Sequence, residues 1–161
     1  VDEKVLVIDQ QKCTGCRLCE LVCSLFHTGT CNPSRSRIRV LNWEDEGFHL
    51  PITCNHCEEP FCVAVCPTKA CHREPANNHR VTIDKKLCIG CRTCIISCPF
   101  GHPFFDVLER VTVKCDYCDG DPQCVRFCGV KAISFMDGDK TNVARKREFA
   151  NKYLNASKQE R

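Results

Sequence analysis

Residues 88–99 read Cys88-Ile89-Gly90-Cys91-Arg92-Thr93-Cys94-Ile95-Ile96-Ser97-Cys98-Pro99: three cysteines with two residues between neighbours, a fourth after three more, then a proline. The same spacing occurs in Cys13, Cys16, Cys19 and Cys23. Two further groups, Cys54, Cys57, Cys62, Cys66 and Cys115, Cys118, Cys124, Cys128, widen the middle gap to four and five residues. Sixteen of the eighteen cysteines therefore fall into four compact groups of four. Three thiolates so spaced can converge on three irons of one cube, because a tight loop turns successive side chains inward and its N–H groups toward the sulfides. The pattern implies four [4Fe–4S] clusters, and with them electron transfer.

The fourth cysteine of each group stands where a helix begins and points away from its own loop. In two-cluster ferredoxins that residue ligates the neighbouring cluster. Two other cysteine chemistries compete. A disulfide framework suits a short secreted chain, but Val1 to Asp9 is a charged, strand-like stretch and not a signal peptide. Structural zinc at one of the four sites is the other alternative, since two C-x-x-C steps can supply four thiolates. Zinc sites usually separate their pairs by a longer loop, so three close cysteines with an outlying fourth fit a cube better.

One Trp, two Tyr and nine Phe in 161 residues give only a modest conventional core, so the cofactors must supply much of the order. Without iron the chain is expected not to fold. The formal charge of +3 counts cysteines as neutral thiols. A cube with four thiolates carries about −2, so four of them bring the total to about −5, and the basic side-chain balance is no argument for nucleic acid. No apolar run is long enough to span a membrane. No Sec or twin-arginine leader precedes Val1, and the start reads as a cytosolic N-terminus after methionine removal, which favours a cytoplasmic location.

Ile8-Asp9-Gln10-Gln11-Lys12-Cys13 recurs 75 residues later as Ile83-Asp84-Lys85-Lys86-Leu87-Cys88, and the offset continues through Gly15/Gly90, Arg17/Arg92 and Cys23/Cys98. Cys54 aligns with Cys115 and, after a one-residue insertion, Val63, Lys69 and Ala70 align with Val125, Lys131 and Ala132. The chain is two copies of one unit. Each unit opens with a strand, Lys4 to Ile8 or Arg80 to Ile83, followed by a cysteine loop entering a helix such as Arg17 to Leu25 or Arg92 to Cys98. A further strand is expected at Ala132 to Met136. Arg37 to Asn42 and Phe48 to Thr53 read as a hairpin around Glu44-Asp45-Glu46-Gly47. Pro67 and Pro99 end local helices after groups two and three, where groups one and four carry Ser24 and Gly129.

Cys71 aligns with Ile133 and reads as a small buried apolar residue; Cys31 sits in a turn without a partner. His27, His56, His72 and His102 stand near the groups, but four cysteines per site leave none of them needed as a ligand. Lys12, Arg17, Arg92 and Lys114 could offset cluster charge or simply be solvated.

With these groups in this order, residues 4 to 136 resemble the four-cluster ferredoxin-like electron-transfer subunits of the dimethyl sulfoxide reductase type. At this size the chain is also similar to the small subunits of tungsten enzymes, namely aldehyde oxidoreductases and class II benzoyl-CoA reductases. The resemblance implies an α+β fold, loop-rich, of tandem pseudo-symmetric bacterial ferredoxin-like dicluster units with short strands and helices around the clusters. It implies that Cys13, Cys16 and Cys19 share a cluster with Cys128, and Cys115, Cys118 and Cys124 with Cys23. It likewise joins Cys54, Cys57 and Cys62 to Cys98, and Cys88, Cys91 and Cys94 to Cys66. Simple repeat logic would instead pair groups one with two and three with four. Spacing does not exclude that, although the 22-residue step from Cys66 to Cys88 suits a contiguous ferredoxin better than the 31-residue step from Cys23 to Cys54.

The implied organisation is one module of residues 1–53 and 100–139 (groups one and four, with a hairpin insertion at 24–53), a second of 54–99 (groups two and three), and a basic tail, 140–161. The tail holds seven Lys or Arg against Glu148 and Glu160, with Phe149, Tyr153 and Leu154 on one helical face, and could grip an acidic partner or a sister subunit. The implied partner is a larger catalytic subunit carrying a tungsten or molybdenum pterin, with a flavin subunit or other copies of this chain as further candidates. No substrate-binding fingerprint is present, so the chain is expected not to be an enzyme itself. The alternative is a free-standing polyferredoxin that shuttles between redox partners.

Overall fold

The computed structural model describes residues 4–75 and 78–138; the basic tail 140–161 lies outside the described residues. Among the described residues eight short strands form four separate antiparallel pairs. β1 (Lys4–Ile8) pairs with β8 (Ile133–Asp137), β2 (Arg39–Trp43) with β3 (Phe48–Ile52), β4 (Cys71–Glu74) with β5 (Arg80–Ile83), and β6 (Phe104–Asp106) with β7 (Val111–Val113). The α-helices among the described residues are α1 (Leu18–Thr28), α2 (Phe61–Ala64), α3 (Thr93–Ile96) and α4 (Gln123–Arg126). Helix α1 packs on α4 and α2 on α3. The short strands and helices make this an α+β fold.

The expected first and fifth strands occupy their expected residues, and β8 begins one residue later than anticipated. The hairpin forms as β2 and β3, shorter at both outer ends, around a 3-10 turn that Gly47 closes at φ 62°. The helices differ more. Arg17 and Arg92, expected to open helices, have left-handed φ values of 58° and 63° and stand just before them. Helix α1 then runs past Leu25 to Thr28, because Ser24 takes the place of a proline and its hydroxyl donates to the Leu21 carbonyl instead of breaking the turn. Helix α3 stops at Ile96, short of Cys98, because Pro99 disfavours helical geometry in the residue before it. The β6–β7 pair has no counterpart among the expected strands, its three-residue strands being too short to show a period.

The apolar core is small and built largely of sulfur. Cys23, Ile38, Cys124 and Ile133 are its buried members, and Leu6, Cys19, Val125 and Cys128 pack against them. Polar ties hold the insertion over this core. Buried Glu20 accepts from the Val40 N–H at 2.7 Å, and Arg35 reaches Asp106 and Glu109 at 2.8 and 2.9 Å. Cys71 is 1 % exposed and pairs with Ile83 in the register by which Ile133 pairs with Ile8.

Candidate metal centres

Left-handed residues recur at matching places in the cysteine loops: Gly15 and Gly90, Arg17 and Arg92, His56 and Tyr117, Lys69 and Lys131. Each reverses the chain so that neighbouring thiols converge. At two of these positions an added side chain meets a neighbour. A Cβ on Gly15 would lie 2.6 Å from the His49 ring, and one on Gly90 would lie 2.9 Å from the Arg110 carbonyl oxygen.

Cys13, Cys16, Cys19 and Cys128 line one small cavity, closed by Val40 and Ile133. Cys54, Cys57, Cys62 and Cys98 line a second, together with Val81, His102 and Lys114. Cys23 lies with group four. Burial first, and then the charges of Cys115, Cys118 and Cys23, push the Cys124 thiol up. Cys94 is raised by burial and by Cys88, Cys62 and Cys66, while Cys91 stands exposed on the same loop. Burial followed by Glu20, Cys16 and Cys13 likewise holds Cys19 up to about 12. Thiols crowded in this way oppose one another's ionisation until a shared cation offsets the charge.

Thiols of different groups also act on one another: Cys19 on Cys124, Cys54 on Cys115 and Cys62 on Cys94, which links group one to four, four to two and two to three. Backbone N–H groups donate to sulfur in every group: Ala132 to Cys128, Arg37 to Cys23, His56 to Cys54, Cys71 to Cys66 and Thr112 to Cys88, at 3.2 to 3.5 Å. Soft thiolate donors in fours, with N–H groups aimed at the sulfurs, fit iron–sulfur clusters well.

The histidines take supporting positions. His27 Nε2 lies 3.6 Å from Cys118 Sγ and 3.4 Å from Asp116, and these three residues are the one described trio close enough to share an ion. Nothing in the local sequence signals that meeting, which joins helix α1 to a loop some 90 residues away. His56 Nδ1 accepts from the Val81 N–H at 2.9 Å, and His72 Nδ1 lies 3.1 Å from the Ala70 carbonyl. His56 Nε2 and His102 Nε2 are buried without a hydrogen-bond partner among the described residues. Of the four basic residues noted beside cysteines, Lys114 is buried, and Arg92 lies over the Phe105 ring at 3.9 Å. The neighbouring Cys71 thiol pulls the Cys62 thiol down. Cys31 is exposed.

Among the described residues no helix is long and apolar enough to cross a membrane. The 4Fe-4S dicluster domain matches residues 46–138. A subunit of the anaerobic dimethyl sulfoxide reductase of Escherichia coli is 38% identical over 146 residues, covering 80% of this protein and 70% of that subunit. The polyferredoxin-like subunit of the aliphatic sulfonate oxidoreductase of Pyrococcus furiosus is 36% identical over 149 residues, covering 90% and 85%. Among solved structures, the active-site complex BamBC of benzoyl coenzyme A reductase with benzoyl-CoA contains a subunit of 25% identity, superposing with a TM-score of 0.50 over 98% of this protein and 97% of that subunit.

Proposed function

The chain belongs to the 4Fe-4S dicluster domain family, and we propose that it is a non-catalytic subunit that relays single electrons through four [4Fe–4S] clusters to or from a larger catalytic subunit. The series of four linked thiol groups carries this reading. A cluster in each set would supply a one-electron couple that changes charge without making or breaking a bond to substrate. The chain's own part is to hold the sets in sequence, to aim N–H groups at the sulfurs and to keep the middle of the row dry. We assign Cys13, Cys16, Cys19 and Cys128 to the first cluster and Cys115, Cys118, Cys124 and Cys23 to the second. Cys54, Cys57, Cys62 and Cys98 take the third, and Cys88, Cys91, Cys94 and Cys66 the fourth.

The same proposal includes tandem pseudo-symmetric units. Asp9 N–H donates to the Ala132 carbonyl and Asp84 N–H to the Ala70 carbonyl, both at 2.8 Å, at positions that the sequence repeat aligns. It also includes a tungsten- or molybdenum-pterin partner and a cytoplasmic location, where reducing conditions keep eighteen cysteines from pairing as disulfides. The relatives named as subunits of reductases and oxidoreductases support a catalytic partner.

Purification of the native, tagged protein with metal and native mass analysis tests the reading. About sixteen iron and sixteen acid-labile sulfide per chain are expected, with a larger tungsten- or molybdenum-containing subunit in the same complex. About twelve iron with one zinc would reassign one site. A monomer carrying neither pterin metal would favour a free polyferredoxin, for which exposed Cys16 and Cys91 at the two ends offer contact points.

A further inference from the structure

Lys114 is 3 % exposed, and its Nζ donates to the Val81 carbonyl at 2.6 Å. It lines the cavity of Cys54, Cys57, Cys62 and Cys98. Among the described residues no carboxylate lies within ion-pair distance of it, whereas Arg35, Arg37 and Arg80 each have at least one. An ammonium removed from water with only a carbonyl for company is costly. In that cavity it stands with the four thiols, beside Val81 and the ring of His102. Of the residues that line this cavity, Lys114 is the one lysine or arginine, and it is buried.

The second set offers a direct contrast. The repeat that aligns Cys54 with Cys115 also aligns Thr53 with Lys114. Thr53 sets a buried hydroxyl against Cys115, without the alignment of an ordinary hydrogen bond. Asp116, next in the chain after Cys115, adds negative charge there, and Arg37 pairs with it at 2.5 Å. One copy of the repeat thus presents a neutral oxygen where the other presents an ammonium.

We propose that Lys114 is the buried counter-ion of the cluster held by Cys54, Cys57, Cys62 and Cys98, and that it raises the reduction potential of this cluster above that of its neighbour at Cys115, Cys118, Cys124 and Cys23. The inference rests on the four-cluster reading. One electron arriving from a neighbouring site takes the cluster and its thiolates from about −2 to about −3, with no proton moved and no bond changed. A fixed positive charge in a dry site favours the more negative state. Lys114 is a positioning residue for charge, and the third cluster becomes the resting place of an electron in the middle of the row.

EPR-monitored redox titration of the iron-loaded protein tests this, with iron counted in each sample. The midpoint belonging to the third cluster is identified as the one lost in Cys57→Ser. In Lys114→Met that same midpoint is expected to shift to a more negative potential while the other three stay in place, and Lys114→Arg is expected to restore it. Four unmoved midpoints at full iron content would overturn the inference, as would an arginine variant shifted like the methionine one. If Lys114→Met loses iron, Lys114→Gln, which can still donate to Val81, is titrated instead. A wild-type midpoint in that variant overturns the role of charge. Iron loss in both neutral variants but not in the arginine variant supports the counter-ion, and loss in all three overturns it. Failure of the four-cluster reading would show separately, as a wild-type iron count far from sixteen.

Discussion

The two inner thiol sets and the two outer ones are built from the same loops but differ in their access to water. In the inner sets Cys23, Cys118, Cys124 and Cys54 are buried, against Cys94 alone in the outer ones, and Cys23 and Cys124 belong to the apolar core itself. Each outer set has a ligand candidate in the open, Cys16 at one end and Cys91 at the other. A buried middle protects thiolates and sulfide from solvent, and an exposed end is where an electron can leave for another protein. The difference teaches that one cysteine motif can serve as conduit or as exit according to what packs over it.

Exchanging a ligand in each region should break this comparison most visibly. Cys124→Ser removes a core residue as well as a thiolate and is expected to lose more than the about four irons of one cube, together with soluble yield. Cys16→Ser is expected to disturb only the first cluster, leaving the circular dichroism unchanged. Equal iron loss in the two variants would show that burial does not set their importance.

Arg35→Ala should come next. Arg35 ties the insertion that covers the inner sets to Asp106 and Glu109, on the hairpin whose Thr112 N–H donates to Cys88 of an outer set. Removing it leaves Asp106, which is 4 % exposed, without its cation, at a cost of about 3 kcal/mol. The lowered thermal midpoint should be accompanied by faster iron loss to a chelator at the fourth cluster, and an unchanged midpoint would detach that hairpin from the stability of the core.

Within the outer loops, Gly90→Ala forces a methyl group to within 2.9 Å of the Arg110 carbonyl oxygen at φ +68°. It is expected to cost about 1–3 kcal/mol, against about 1 kcal/mol or less for Gly47→Ala, whose φ is also positive but whose Cβ meets open space. Thermal melts of both variants with full iron separate the clash from the backbone conformation. The smallest effects belong to the two remaining cysteines. Cys31→Ser and Cys71→Ser should each keep the full iron count, the second because the repeat aligns Cys71 with Ile133. Loss of a cube in Cys71→Ser would make that residue a ligand.

Much of the molecule is legible in the chain. Cysteine spacing marks sixteen residues and the chemistry they suit, because ligands to one cube must come from a short loop and leave a short period in the sequence. The internal repeat marks β1, β5 and the kinship of Cys71 with Ile133, since equivalent strands keep equivalent apolar positions. Arg17 and Arg92 read as helix from the sequence, wrongly, because composition does not report a left-handed φ. The β6–β7 hairpin escapes such a reading because three residues carry no measurable alternation.

What only the tertiary structure decided is the company each thiol keeps across long stretches of chain. Cys128 faces the cavity of Cys13, and Cys98 that of Cys54, because α1 packs on α4 and α2 on α3. The links between the groups, the meeting of His27 with Cys118, and the burial of Lys114 are likewise properties of packing. The sequence by itself determined which cysteines are the candidate ligands, since coordination is a local demand for sulfur at fixed spacing. It left open which charges surround them, because a lysine next to a cysteine reads the same whether the fold turns it to water or, as at Lys114, into a dry cavity.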